Sequence, residues 1–298
     1  MKTTIKFFML TLIIIFAALS HADDQGFSKI SLKTTNVSDN IYMLEGAGGF
    51  AGGNIGVSVG EDGILLIDDQ LTPMSEKITN ALAEIHTGSP KFILNTHWHG
   101  DHTGGNAHFS NRTTIIAHTN VRKRLMEDQQ NYFGASPAQA KEAWPLITFD
   151  QSLTIHFNGE AIKFIHYPNG HTDGDGVVYF TNSNVAHLGD HYFTGMFPFV
   201  DLDSGGNVFS FTKNIKEIIS ALPSDVKIIP GHGALTNLDE LKSYYEMLVE
   251  TSRYVKNQAS QGRTLEEIQQ KGLPGKWKSW GNGFINAENW IMFIYNSI

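Results

Sequence analysis

The stretch NTHWHGDHTGG (95–105) places His97, His99, Asp101 and His102 within a few positions of one another. Imidazole nitrogens and carboxylate oxygens are ligands for zinc. In extended backbone, residues two apart share a face. His97 and His99 can therefore reach one cation together while Trp98 points elsewhere. Gly100 permits a sharp turn, and the adjacent Asp101 and His102 are free to serve a second cation. Each half-site is short of donors, because four-coordinate zinc takes three or four ligands from the protein. The chain offers the missing ones: His171 in PNGHTDGD, Asp190 in HLGDHYF and His232 in IIPGHG. Each lies in a loop at a strand end or between strands, where polar ligands gather. We expect two Zn2+ per chain, with His97, His99 and His171 on one and Asp101, His102 and His232 on the other. The two carboxylate oxygens of Asp190 bridge them. The remaining histidines read as surface or structural residues. His191 follows Asp190 directly and faces the other way.

The elements around these residues suggest one α/β domain. Short β-rich runs occupy 30–37, 40–46, 54–60 and 63–69, separated by Asn, Asp and Gly turn signals. A helix is predicted over 74–87, where Ile78, Leu82 and Ile85 recur at helical spacing. KFILN (91–95) is a buried strand that delivers the histidine cluster. A strand at 113–118 follows, then helices around 119–130 and 137–143. Strands at 152–157 and 161–167 flank the hairpin turn Asn158-Gly159. A second pair is predicted at 176–180 and 184–190. Helix 207–222, strand 226–230, helix 237–258, a turn or two at 265–270 and a closing amphipathic helix at 285–297 complete the chain.

The chain ahead of this domain has a different character. Lys2 and Lys6 precede an apolar run from Phe7 to Leu19, and Ser20-His21-Ala22 offers small residues at a cleavage site. That is the layout of a signal peptide over 1–22, leaving a domain over 23–298. We expect export to the periplasm or beyond, with no membrane association after cleavage. The chain has no cysteine, so neither a disulfide nor a thiolate ligand or nucleophile is available. Its formal net charge is −8, and no basic stripe offsets it, which excludes nucleic acid as a natural partner. A small-molecule substrate is the expected partner. Nothing in the sequence specifies an oligomeric state.

THWHGDH (96–102), GHT (170–172), GD (189–190) and PGH (230–232), in this order, resemble the motifs of the metallo-β-lactamase superfamily. The resemblance covers nearly the whole mature chain. It implies an αββα sandwich with a dinuclear zinc site at one edge of its two sheets, and ligand roles that agree with those above. Asp190 is similar to the bridging aspartate of the glyoxalase II and lactonase-like branches. The largest subclass of zinc β-lactamases has a cysteine there, and a lysine three residues later that holds the substrate carboxylate. Phe193 takes that lysine's place here.

Two zincs sharing a water lower its pKa towards neutrality and so supply a nucleophile without serine or cysteine. Asp101 is the expected catalytic side chain, as ligand and as the group that orients the nucleophile or relays its proton. The Gly-rich segment 46–56 carries Phe50 and Asn54. It resembles the flap of the β-lactamases, and a wide hairpin turn is the alternative. In 192–206, Met196, Phe197 and Phe199 form either an apolar substrate wall or ordinary packing. Phe50, Asn54, Tyr192 and Phe197 are thus the candidate substrate contacts. Hydrolysis of a cyclic amide or ester is expected, with β-lactams, and hence antibiotic resistance, the favoured case even if turnover is weak. A lactonase or a glyoxalase II-like thioester hydrolase is the alternative. A metal-binding protein without turnover is the reading from another class.

Overall fold

Alternation along single strands decides the layering. In GILLI (63–67), Leu65 and Ile67 point into one apolar core while Ile64 and Leu66 point into another, as a side-chain period of two demands. Leu94 and Ile93 divide in the same way, as do Ile116 and Ile115. Strands like these must be covered on both faces, and the computed structural model, which describes residues 26–298, shows what covers them. The expected signal peptide at 1–22 lies outside the described residues.

The first sheet begins with β1 (Ser31–Ser38), β2 (Ile41–Ala47), β3 (Ile55–Gly60) and β4 (Gly63–Ile67), all antiparallel. Helix α1 (Ser75–Ile85) then leads to β5 (Pro90–Asn95) and β6 (Thr114–His118), which run parallel to β4. Helix α2 (Thr119–Leu125) follows, then a separate hairpin of β7 (Gln129–Asn131) and β8 (Gly134–Ser136). β9 (Ile147–Phe149) closes the sheet beside β6, giving seven strands in all. The second sheet has six strands: β10 (Ser152–Phe157), β11 (Glu160–His166), β12 (Gly176–Phe180), β13 (Val185–His187), β14 (Lys227–Ile229) and β15 (Thr236–Asn237). β13 and β14 are parallel because helix α3 (Val208–Ala221) crosses between them. Helices α4 (Leu238–Ser260), α5 (Leu265–Lys271) and α6 (Ala287–Asn296) end the chain.

The two sheets face each other across Leu65, Ile67 and Leu94 on one side and Ile162, Phe164 and Val178 on the other. α1 covers the outer face of the first sheet through Ile78 and Leu82. α3, α4 and α6 cover the second through Phe211, Tyr244 and Trp290. The architecture is the expected αββα sandwich. Asn207, Asn237 and Asn286 cap the starts of α3, α4 and α6 by accepting backbone N–H bonds, which such helix ends otherwise lack. Among the described residues, no helix is long and apolar enough to cross a membrane.

The sequence-based elements fail in one region. The expected helix over 119–130 ends at Leu125, and 137–143 holds only a 3-10 turn at Lys141–Ala143. Met126 caps α2, and the chain then folds back into a hairpin in which Gly134 takes a φ of 122°, a conformation that favours glycine. The strands that replace the helix are three residues each and polar, without an apolar alternation to announce them.

The Asn158-Gly159 turn is as expected, with φ of 52° and 74°, the left-handed pair of a type I′ hairpin. Asn158 also ties the sheets together. Its amide donates to Ser58 Oγ (3.1 Å) and Gly63 O (3.0 Å), and its Oδ1 accepts from the Asp62 N–H (3.1 Å). Asn158→Ala removes these bonds and strains the backbone. We expect it to destabilise the fold by about 2 kcal/mol, read as a lower urea midpoint. An unchanged midpoint would mean that the clamp contributes nothing.

Candidate metal centre

Each donor sits just beyond a strand. His97 and His99 follow β5, and a single helical turn, Gly100–Thr103, carries Asp101 and His102. His171 lies in the β11–β12 connection. Asp190 is in a 3-10 turn after β13, and His232 follows β14. The structure brings all seven together. Ligand atoms of His97, His99, His171 and Asp190 lie within 4.8 Å of one another, and so do those of Asp101, His102 and His232. Asp190 reaches both sets: Oδ2 is 3.4 Å from His171 Nε2, and Oδ1 is 3.1 Å from His102 Nε2 and 3.4 Å from His232 Nε2. Each set takes donors from the ends of both sheets.

Hydrogen bonds on the far side of each ring fix which nitrogen faces inward. His171 Nδ1 donates to Phe199 O (2.8 Å) and His99 Nε2 to Asp201 Oδ2 (2.8 Å). The Thr96 hydroxyl donates to Asp68 Oδ2 (2.8 Å), so its oxygen accepts from His97 Nδ1 (3.1 Å). The three inward nitrogens therefore present lone pairs. Yet His99 Nδ1 is 3.1 Å from His97 Nε2 and 2.9 Å from His171 Nε2. Lone pairs this close repel unless a positive charge lies between them. Burial, with the neighbouring His102, holds His97 well below its ordinary pKa. Burial likewise lowers His171 to about 4 despite the attraction of Asp190.

The other set behaves oppositely. Burial disfavours a charged His102, but Asp190, Asp101 and Asp68 together hold its pKa well above the ordinary value. His232, buried against Asp190 and Asp101, is raised to about 9. Burial works against the Asp101 carboxylate, yet His102 and His232 bring it down to about 2. Protons on His102 and His232 thus balance the local carboxylates. Asp190 Oδ1 is buried and lies 3.1 Å from His102 Nε2 and 3.4 Å from His232 Nε2, yet neither contact is aligned as a hydrogen bond. Lone-pair nitrogens on one side, carboxylates on the other and a carboxylate reaching both sets fit a pair of divalent cations.

Backbone without side chains lets this cluster close. A Cβ at Gly53 would overlap the His102 ring, and one at Gly231 would overlap Asp190 Oδ1. Asp68 and Asp201 are the functional carboxylates that sequence reasoning missed. Asp68 is fully buried, with φ of 62°, and accepts from His102 Nδ1 (2.7 Å) as well as from Thr96. The one available signal was the acidic pair that ends the buried strand GILLIDD.

A cavity of about 530 Å³ opens over the cluster, lined among others by Trp98, Asp101, Phe193 and Phe199. Phe50 lines it too and is 47% exposed. The other three expected substrate contacts do not line it. Tyr192 is buried in the core against Tyr244 (4.9 Å between ring centroids). Phe197 is fully buried and stacks on Trp290 (5.9 Å). Asn54 is buried, and its amide donates to Pro230 O (3.0 Å) and Gly233 O (2.8 Å). Phe133 and Phe284, which the sequence did not single out, do line the cavity.

A family profile described as the metallo-beta-lactamase superfamily matches residues 48–237, more than half of the chain. The chain belongs to this superfamily. It is similar to the metallo-beta-lactamase type 2 of Bacteroides fragilis, 22% identical over 68% of this chain and 79% of that protein. It is also similar to a hydroxyacylglutathione hydrolase of Pelagibacter ubique, 30% identical over 48% of this chain and 51% of that one. Among solved structures, a metallo-beta-lactamase from Pontibacter korlensis matches with a TM-score of 0.59 and 17% identity, over 73% of this chain and 99% of that one. The sec-alkylsulfatase Pisa1 from Pseudomonas sp. matches with a TM-score of 0.66 and 14% identity, over 89% of this chain but only 50% of that chain. These likenesses describe a shared fold.

Asp201→Asn keeps the shape beside His99 but removes the charge that orients its ring. We expect divalent-metal affinity to fall about 10- to 100-fold, measured by chelator competition; unchanged affinity would remove Asp201 from the site. The pKa pattern sets a second expectation. Below pH 9 a cation entering beside Asp101 must displace a proton from His232, whereas His171 stays neutral above about pH 4. Affinity for the second cation should therefore rise between pH 6 and 9, with proton release detectable by calorimetry in buffers of different ionisation enthalpy. A flat profile without proton release would contradict the assignment.

Proposed function

We propose that this chain is an exported, dinuclear zinc hydrolase that cleaves a small, uncharged carbonyl substrate, an ester or lactone ahead of a β-lactam. The observation that carries this reading is the composition of the cavity. Seven side chains able to ligate metal lie under a cleft whose lining includes five phenylalanines and Trp98, and among the described residues no Lys or Arg lines it. β-Lactams and glutathione thioesters carry carboxylates, and burying one without a cationic partner is costly. Phe193 stacks on His232 (5.2 Å) where the resemblance would place a carboxylate-binding lysine.

His97, His99, His171 and Asp190 would hold one cation, and Asp101, His102, His232 and Asp190 the other. Bound there, two divalent cations would supply Lewis acidity and an acidified water. The protein's own part is to hold Asp101 ionised at neutral pH, lining the cavity, where it accepts a hydrogen bond from a proton-bearing reactant and fixes its orientation. Trp98 and Phe199 give the cleft a buried apolar wall. The lysines and apolar run ahead of Ala22 support export, the absence of cysteine is compatible with it, and the acidic balance supports a small molecule over a nucleic acid as partner.

The test is hydrolysis of phenyl acetate, γ-caprolactone, a cephalosporin and S-lactoylglutathione by zinc-loaded and chelated protein. Chelator-sensitive turnover of the first two, with kcat/KM at least about tenfold above the two carboxylates, is expected. Preference for a carboxylate substrate would refute the neutral-substrate reading. Absence of any chelator-sensitive turnover would favour the metal-binding protein without catalysis.

A further inference from the structure

We infer that the substrate is an open-chain ester or thioester with an apolar group on each side of its scissile bond; this rests on the hydrolase reading above. Two separate aromatic walls carry the inference. On one side Phe133 packs edge-on against Phe199 (4.7 Å), and Phe199 stacks beside His99 (5.7 Å). On the other, Phe284 packs edge-on against Phe50 (5.4 Å), and Phe50 stacks beside His232 (5.9 Å). His99 and His232 belong to different donor sets, so the walls flank different halves of the cluster. All four rings line the same cavity.

Exposure shows that these rings have work left to do. Phe133, Phe284 and Phe50 are 65%, 50% and 47% exposed, and they converge on one opening. Large apolar groups gathered at a cleft mouth mark a binding surface. A carbonyl centred over the cluster has two substituents, and each meets a wall. A lactone or lactam folds both substituents into one ring, which cannot extend towards both walls. An open chain can. A charged group in either arm would lose its hydration between phenyl rings and gain no partner.

The walls come from segments outside the central sheets: Phe133 from the tip of the β7–β8 hairpin and Phe284 from the stretch before α6. Both side chains are exposed, so each can be truncated without opening the core. The test follows hydrolysis by pH-stat with zinc-loaded protein along two series. One lengthens the acyl arm, from methyl acetate to methyl hexanoate. The other lengthens the alkoxy arm, from methyl acetate to hexyl acetate. The wild type should prefer the longer member in both. Phe133→Ala should cut that preference in one series and Phe284→Ala in the other, each about tenfold, as expected for lost contacts with a short alkyl chain. Preference for the short ester, or preferences that neither variant changes, would overturn the inference. If neither these esters nor any of the four substrates named above is hydrolysed, the hydrolase reading fails on its own account. The walls are then tested by calorimetry with the ketone analogues, in which a methylene replaces the ester oxygen. Binding that both truncations weaken supports the two walls, and binding indifferent to them refutes them.

Discussion

Unlike-charge balance in a buried space governs this protein's working end. Two imidazole nitrogens, those of His97 and His171, come within hydrogen-bond distance of the lone pair on His99, and two carboxylates face a further pair of histidines. Left alone, one half repels itself and the other recruits protons. The rest of the molecule makes sense as the apparatus that holds these groups where they would not otherwise stay. Two sheets bring them to one edge, outer carboxylates fix their rings, and glycines let neighbouring backbone come close.

That apparatus is layered. Asp68 and Asp201 never face the cavity as donors, yet they decide which nitrogen of His102 and His99 turns inward. Such partners raise ligand basicity and remove rotational freedom before any ion arrives. The flap is secured in the same manner. Gln70 donates to Gly53 O (2.9 Å), and the Gly53 N–H donates to Asp101 O (2.9 Å). The Gly-rich segment, read from sequence as a flap or a wide hairpin turn, is thus tied at its base, with Phe50 exposed upon it.

What could be read in the sequence follows distance along the chain. His97, His99, Asp101 and His102 announce themselves by spacing, and His171, Asp190 and His232 by their glycine neighbours at strand ends. The buried strands were legible because both faces are apolar. Partners that act across the fold carried no such mark: Asp201 is one acid among several in a loop, and only tertiary contact sets it against His99. The β7–β8 hairpin was missed because its strands are short and polar. Tyr192 was misplaced for a simpler reason. Phe193 faces the cavity, so the alternation of extended backbone turns Tyr192 into the core.

The division of donors between the sheets has a thermodynamic corollary. Every cation held at this edge would be gripped from both layers of the sandwich at once, like a rivet through two plates. An ion that binds only the closed arrangement adds RT ln(1 + [L]/Kd) to its stability. Resistance to unfolding would then be set in part by the free divalent cation of the surroundings, and a chain without cysteine would draw on its ions for the cross-linking that disulfides supply elsewhere.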